Sequence, residues 1–199
     1  MSYLKKIEYE ITLKDSFWVV RNCPKCGRKT HYINTKKFRV NANGNKLDVW
    51  LIYQCAECKQ TLNLAIYERR KASSIPREEY QCFLGNDEQL AERYGQSMQL
   101  FRENKADIDW GRLQYGIVKV HESIEGGEGR ERILVTVKNP DGLKIRLEKQ
   151  IAMVLGLSRD QVKKLMVKGE IEIREHSQYL LSIEVAVEIN QGVIRKPTL

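Results

Sequence analysis

Two cysteine pairs carry the clearest chemistry in the sequence. Cys23-Pro24-Lys25-Cys26 and Cys55-Ala56-Glu57-Cys58 are separated by twenty-eight residues. Zinc takes four soft ligands at tetrahedral corners, with each sulfur about 2.3 Å from the ion. A two-residue gap in a tight turn brings two thiolates to one ion, and Gly27 after the first pair permits positive φ close to the sulfurs. Cys23, Cys26, Cys55 and Cys58 are therefore the expected metal ligands and Zn2+ the expected cofactor. Four protein thiolates leave no position for water, so the ion is expected to be structural. An iron–sulfur centre could use the same four ligands. Redox dithiols would open a helix in a βαβ context, and disulfides belong to exported chains; neither context is visible here. Cys82, in Tyr80-Gln81-Cys82-Phe83, falls outside the pattern and reads as a buried free thiol.

Other reactive side chains are sparse. His31, His121 and His176 stand in no known catalytic spacing, and four cysteines suffice without His31. No G-x-S-x-G, P-loop or dinucleotide fingerprint occurs. Glu78-Glu79 and the pair Asp107 and Asp109 read as solvated helix or loop carboxylates. The chain is expected not to be an enzyme.

Charge points to a different class of function. The 199 residues carry +8. Residues 17–71 hold twelve basic against three acidic groups, and residues 144–169 seven against two, while residues 72–143 are acidic, with nine against thirteen. Clustered positive charge is the usual footprint of a phosphate-rich partner. The 42% apolar content suffices for a core. No apolar run approaches a membrane span, and the first residues lack the apolar stretch of a signal peptide. No membrane association is expected, and the expected compartment is the cytoplasm.

The elements that position these groups follow from pattern. Residues 8–13 and 17–20 read as two strands around Lys14-Asp15-Ser16. Lys37–Val40 and Leu47–Tyr53 read as strands of a hairpin turning at Asn43-Gly44, which returns the second cysteine pair beside the first. Trp50 or Tyr53 could stack bases if exposed, although alternation sends neighbours to opposite faces. Pro76 starts a short helix, and Asn86 or Asp87 caps a longer one to about Asn104, with Leu90, Tyr94, Met98 and Phe101 as its core stripe. Strands at 116–120 and 133–137 are joined by the acidic loop Glu125-Gly126-Gly127-Glu128-Gly129. Helices follow over about 145–168, then a hairpin of about 170–174 and 179–188, and a tail from Ile194 to Leu199.

In Lys144–Ile173, Leu147, Ile151, Val154 and Leu155 share a helix face, Gly156 ends that helix, and Ser158 caps a second one. Arg159, Lys163 and Lys164 lie off the apolar stripe. With Arg146-Leu147, Ser158-Arg159, Leu165-Met166 and Gly169-Glu170-Ile171 in register, this stretch resembles the alpha-L RNA-binding module first seen in small-subunit ribosomal protein four. Glu148 stands where that family has Asp, and Arg174-Glu175 where it has Asn-Gly. The resemblance implies phosphate contacts by Arg146, Arg159, Lys163, Lys164 and Lys168. Across nearly its full length the chain also resembles the bacterial domain-of-unknown-function family one thousand and sixty-two, through residues 37–44, Leu47–Tyr53 and the paired cysteines. That likeness implies a bacterial cytoplasmic protein and brings no activity.

The expected fold is therefore α+β: an N-terminal antiparallel zinc ribbon over 1–71, a helical connector over 72–114, and a C-terminal two-helix plus strand module within 115–199. The expected function is binding of structured RNA. A zinc-stabilised scaffold for a protein partner and a DNA-binding regulator are the alternatives. The sequence leaves the oligomeric state open.

Overall fold

The structure, a computed structural model, describes residues 5–124, 132–176 and 182–188. The chain divides into two compact units, Leu13–Gln114 and Met1–Thr12 together with Tyr115–Leu199. Each is built on a β-sheet. The first has four strands in the order β2-β3-β4-β5, with β2 (Val19–Cys23), β3 (Arg28–Asn43), β4 (Lys46–Cys55) and β5 (Thr61–Lys71). The second has five in the order β6-β1-β7-β9-β8, with β1 (Lys5–Leu13), β6 (Tyr115–Ile124), β7 (Arg132–Lys138), β8 (Ile171–His176) and β9 (Ser182–Glu188).

This arrangement overturns the expected α+β class with its helical middle and its C-terminal module of two helices and a strand. Strands dominate the described residues, and the helices are short pieces laid on two sheets. The physical reason lies in two strand partners. β1 does not fold back on residues 17–20. It pairs in parallel with β7, Lys5 opposite Ile133 through Glu10 opposite Lys138. It thereby enters between β6 and β7, which are not hairpin neighbours. The C-terminal hairpin is present, with β8 and β9 antiparallel. The loop at 125–129 and the tail at 194–199 lie outside the described residues.

In the four-stranded sheet, β4 alternates strictly. Leu47, Val49, Leu51, Tyr53 and Cys55 are buried, while Asp48, Trp50, Ile52 and Gln54 are half-exposed on the opposite face. Tyr53 is thus core and Trp50 faces outward. The β3–β4 hairpin turns at Gly44 and Asn45, between the paired residues Asn43 and Lys46. Gly44 has φ +61° there, a conformation that favours glycine.

The buried face is covered by α1 (Arg77–Gly85), α2 (Glu88–Gly95) and α3 (Met98–Glu103). The longer helix expected from residue 87 to 104 is broken after Gly95, and Ser97 caps a new start by accepting from the Leu100 amide. The break follows from close packing. Asn34 sits in a bulge of β3 and donates to Ser16 Oγ at 2.8 Å and to the Ala91 carbonyl at 2.9 Å, which docks α2 on the sheet. The Gly95 carbonyl accepts the Phe17 amide at 2.8 Å. A Cβ on Gly95 would lie 2.6 Å from Asn34 Nδ2 and 2.7 Å from Ser16 Cβ. Gly95→Ala is therefore expected to cost about 1–3 kcal/mol by overpacking. Chemical denaturation would read it as a lower midpoint; an unchanged midpoint would contradict this contact.

The sheet's edges are tied as well. Asn104 mimics a strand residue on β5, accepting the Ala65 amide at 2.7 Å and donating to the Ala65 carbonyl at 2.9 Å. Three residues on, the Asp107 carbonyl accepts the Val20 amide, and the Asp109 amide donates to Trp18 O, both at 2.9 Å. One short segment thus satisfies backbone groups on β2 and on β5, the two edge strands.

Candidate metal centre

Both cysteine pairs sit where one strand of the sheet hands over to its neighbour. Cys23 ends β2 and β3 begins at Arg28; Cys55 ends β4 and β5 begins at Thr61. The two turns have the same backbone geometry. Gly27 donates to the Cys23 carbonyl at 2.9 Å and Lys59 to the Cys55 carbonyl at 3.1 Å. Gly27 has φ +67° and Lys59 φ +63°. The equivalent left-handed position is thus glycine in one turn and lysine in the other. β3 lies between the strands that end in cysteine, and its His31 carbonyl accepts the Ala56 amide at 2.8 Å, fixing the second turn against it.

This frame gathers the four sulfurs. Cys23 Sγ lies 3.5 Å from Cys58 Sγ, and Cys26 Sγ 3.9 Å from Cys55 Sγ. All four lie within 4.8 Å of one another. Sulfurs about 2.3 Å from a common tetrahedral centre stand about 3.8 Å apart. The set therefore fits one ion. A cluster with bridging sulfides would hold the four sulfurs farther apart.

The surroundings favour thiolate at two of the ligands. A hydrogen bond from the Tyr32 hydroxyl pulls the Cys23 thiol down to about 6, against the opposing effect of burial. The Cys58 amide and then the Thr30 hydroxyl, 3.3 Å from the sulfur, lower that of Cys55. Cys26 is pushed up, first by its hydrogen bond with Cys58, because neighbouring sulfurs without a cation compete for protons. A divalent ion reverses that competition by replacing the protons. Tyr32 and Thr30 are both buried parts of the site, and spacing alone did not point to them.

Several other residues depart from expectation. Cys82 is a half-buried rather than buried free thiol, outside the cluster. Asp109 is not a free loop carboxylate. Its Oδ2 lies 3.0 Å from His31 Nε2 and 3.5 Å from Arg112 Nε, and its Oδ1 accepts the Gly111 amide. Glu79 accepts hydrogen bonds from the hydroxyls of Tyr67 and Tyr94. Both carboxylates thus anchor side chains of the Leu13–Gln114 unit.

In the other unit, α4 (Leu147–Leu155) and α5 (Arg159–Val167) lie beside the five-stranded sheet's strands. Gly156 turns the corner at φ +66°, and Ser158 and Gln161 form a reciprocal cap. Arg146, Arg159, Lys163, Lys164 and Lys168 are all exposed. Lys149 Nζ stands 4.9 Å from the Tyr115 ring centre. An open groove of about 390 Å³ runs between Lys149 and Arg159 over Ala152, Met153 and Leu157. No helix among the described residues is long and apolar enough to cross a membrane.

Fold and site together define a two-sheet protein with four cysteines placed to hold a metal ion. The sequence model of a family described as "Protein of unknown function (DUF1062)" matches residues 40–177, and the chain belongs to that family. The match includes Cys55 and Cys58 and begins after Cys23 and Cys26. No curated protein and no solved structure matches the chain.

Proposed function

We propose that the four-cysteine centre holds zinc and that the protein binds structured RNA through the α4–α5 pair. Donor chemistry supports the first half: four thiolates at tetrahedral spacing suit zinc and leave no position for a substrate. The ion is then a clamp and the protein a binding protein rather than an enzyme, working in the bacterial cytoplasm. One observation carries the second half. Among the described residues no carboxylate lies within salt-bridge distance of Arg146, Arg159, Lys163, Lys164 or Lys168, and all five are exposed. Unpaired cations on one helix pair are free to replace the counterions of phosphates. The likeness of this stretch to the alpha-L module points the same way.

A gel shift with an RNA hairpin tests the reading as salt rises from about 50 to about 200 mM. Arg159→Ala and Lys163→Ala should each weaken binding and reduce the salt slope by about 1. An absence of any shift at the lowest salt would remove the RNA reading. Displacement by an equal amount of duplex DNA would reassign the surface to DNA.

A further inference from the structure

The outward face of β3, β4 and β5 carries an aromatic residue among cations. Alternation places Lys37, Arg39 and Asn41 of β3 beside Ile52, Trp50 and Asp48 of β4. Arg39 is the cross-strand partner of Trp50, and its guanidinium carbon lies 5.8 Å from the indole ring centre. On the other side the partner is Ala65, whose methyl leaves the indole unflanked by any larger side chain at that position. The helices of this unit pack on the opposite face, where Phe38, Phe83, Tyr53 and Phe101 meet edge to face.

The charges on this face are unbalanced. Lys37, Arg39 and Lys46 are exposed, and among the described residues none has a carboxylate partner. Asp48, the acid of β4 on this face, already accepts the Arg69 amide at 2.7 Å. Lys37 and Arg39, two residues apart on one strand, have backbones about 7 Å apart, a spacing from which their long side chains can reach neighbouring phosphates of one strand. An acidic or apolar protein surface would use the cations or the indole. An unpaired nucleotide uses both, stacking its base while its phosphate meets the neighbouring cation.

We propose that this sheet face is a second binding site, for unpaired RNA nucleotides, with Trp50 as the stacking platform and Arg39 and Lys37 as phosphate contacts. It extends the RNA reading given above, and its residues belong to the other unit, so the two can fail separately.

The test uses the zinc-loaded full chain and a labelled oligouridylate too short to fold, with the hairpin RNA in parallel. Trp50→Ala should weaken oligouridylate binding tenfold or more. Trp50→Phe should retain most of it, and Arg39→Ala should weaken it and flatten its salt slope. Zinc content and melting temperature should stay near those of the parent, because Trp50 lies outside the core. Oligouridylate binding that is absent from the parent, or unchanged in Trp50→Ala, overturns the sheet-face site even where the hairpin binds. Oligouridylate binding lost in Trp50→Ala, beside hairpin binding indifferent to Arg159→Ala and Lys163→Ala, keeps this site and removes the helix-pair reading.

Discussion

Cys55→Ser is expected to strip the protein of its metal and to unravel the cysteine end of the four-stranded sheet. Cys55 is fully buried at the end of β4, opposite Tyr32 on β3. Its amide donates to the Gln60 carbonyl, its carbonyl accepts from Lys59, and its sulfur lies near Thr30 and Cys26. The hydroxyl of serine is a hard, mostly protonated donor and a poor substitute for thiolate on zinc. Structural zinc in small peptides contributes about 10–16 kcal/mol at neutral pH, and in such sites metal binding is also folding. Elemental analysis should therefore fall from one ion per chain towards none. Hydrogen exchange should show the amides of Gly27 and Lys59 losing protection first, since each closes a turn whose sulfurs the ion ties to the other, with β3 as the remaining link. Phe17, Tyr53 and Phe101 pack farther along the same sheet, so the helix-covered core should outlast the turns. Cys82→Ser is the control: outside the cluster, it should change stability by no more than about 0.5 kcal/mol. A metal-free parent with both turns protected would remove the clamp altogether.

The contrast between legible and illegible features has a physical basis. A C-x-x-C turn is local, and so is the Asn43-Gly44 hairpin that returns the second pair to the first. Short spacing fixes both because few backbones satisfy it. Alternation in β4 likewise separates Trp50 from Tyr53, since residues an odd number apart face opposite ways. Strand partners are a different matter. The apolar alternation of β1 would serve equally well against residues 17–20 or against β7, more than a hundred residues away. Pattern names a face, and only the assembled sheet names the neighbour. Gly95 is similar: the helical period runs straight through it, and the stop comes from Ser16 and Asn34 on other elements. The roles of Asp109 and Glu79 were hidden for the same reason, because their partners are brought near only by folding.

Phe101→Ala should produce a large loss of stability while leaving the ligands intact. Phe101 is almost fully buried, edge-on to Phe17 at 5.2 Å and to Tyr53 at 5.9 Å between ring centres. It belongs to α3, a helix of six residues, far too short to persist without packing. Truncation to alanine at such a site costs about 3–5 kcal/mol. That is a large share of the 5–15 kcal/mol that holds an ordinary domain together. For a chain of this size the melting temperature should fall by about 6–20 °C. The effect should also spread in one direction. Asn104 follows α3 immediately and is the group that satisfies Ala65 on β5, while residues 107–109 satisfy β2. A loosened α3 therefore releases both sheet edges, and exchange at the amides of Ala65 and Val20 should quicken together. The ion should stay bound at room temperature, because the cysteine turns are held by one another and by β3 rather than by α3. Loss of metal in Phe101→Ala would mean that the helical cover, and not the ion, sets the geometry of the four sulfurs.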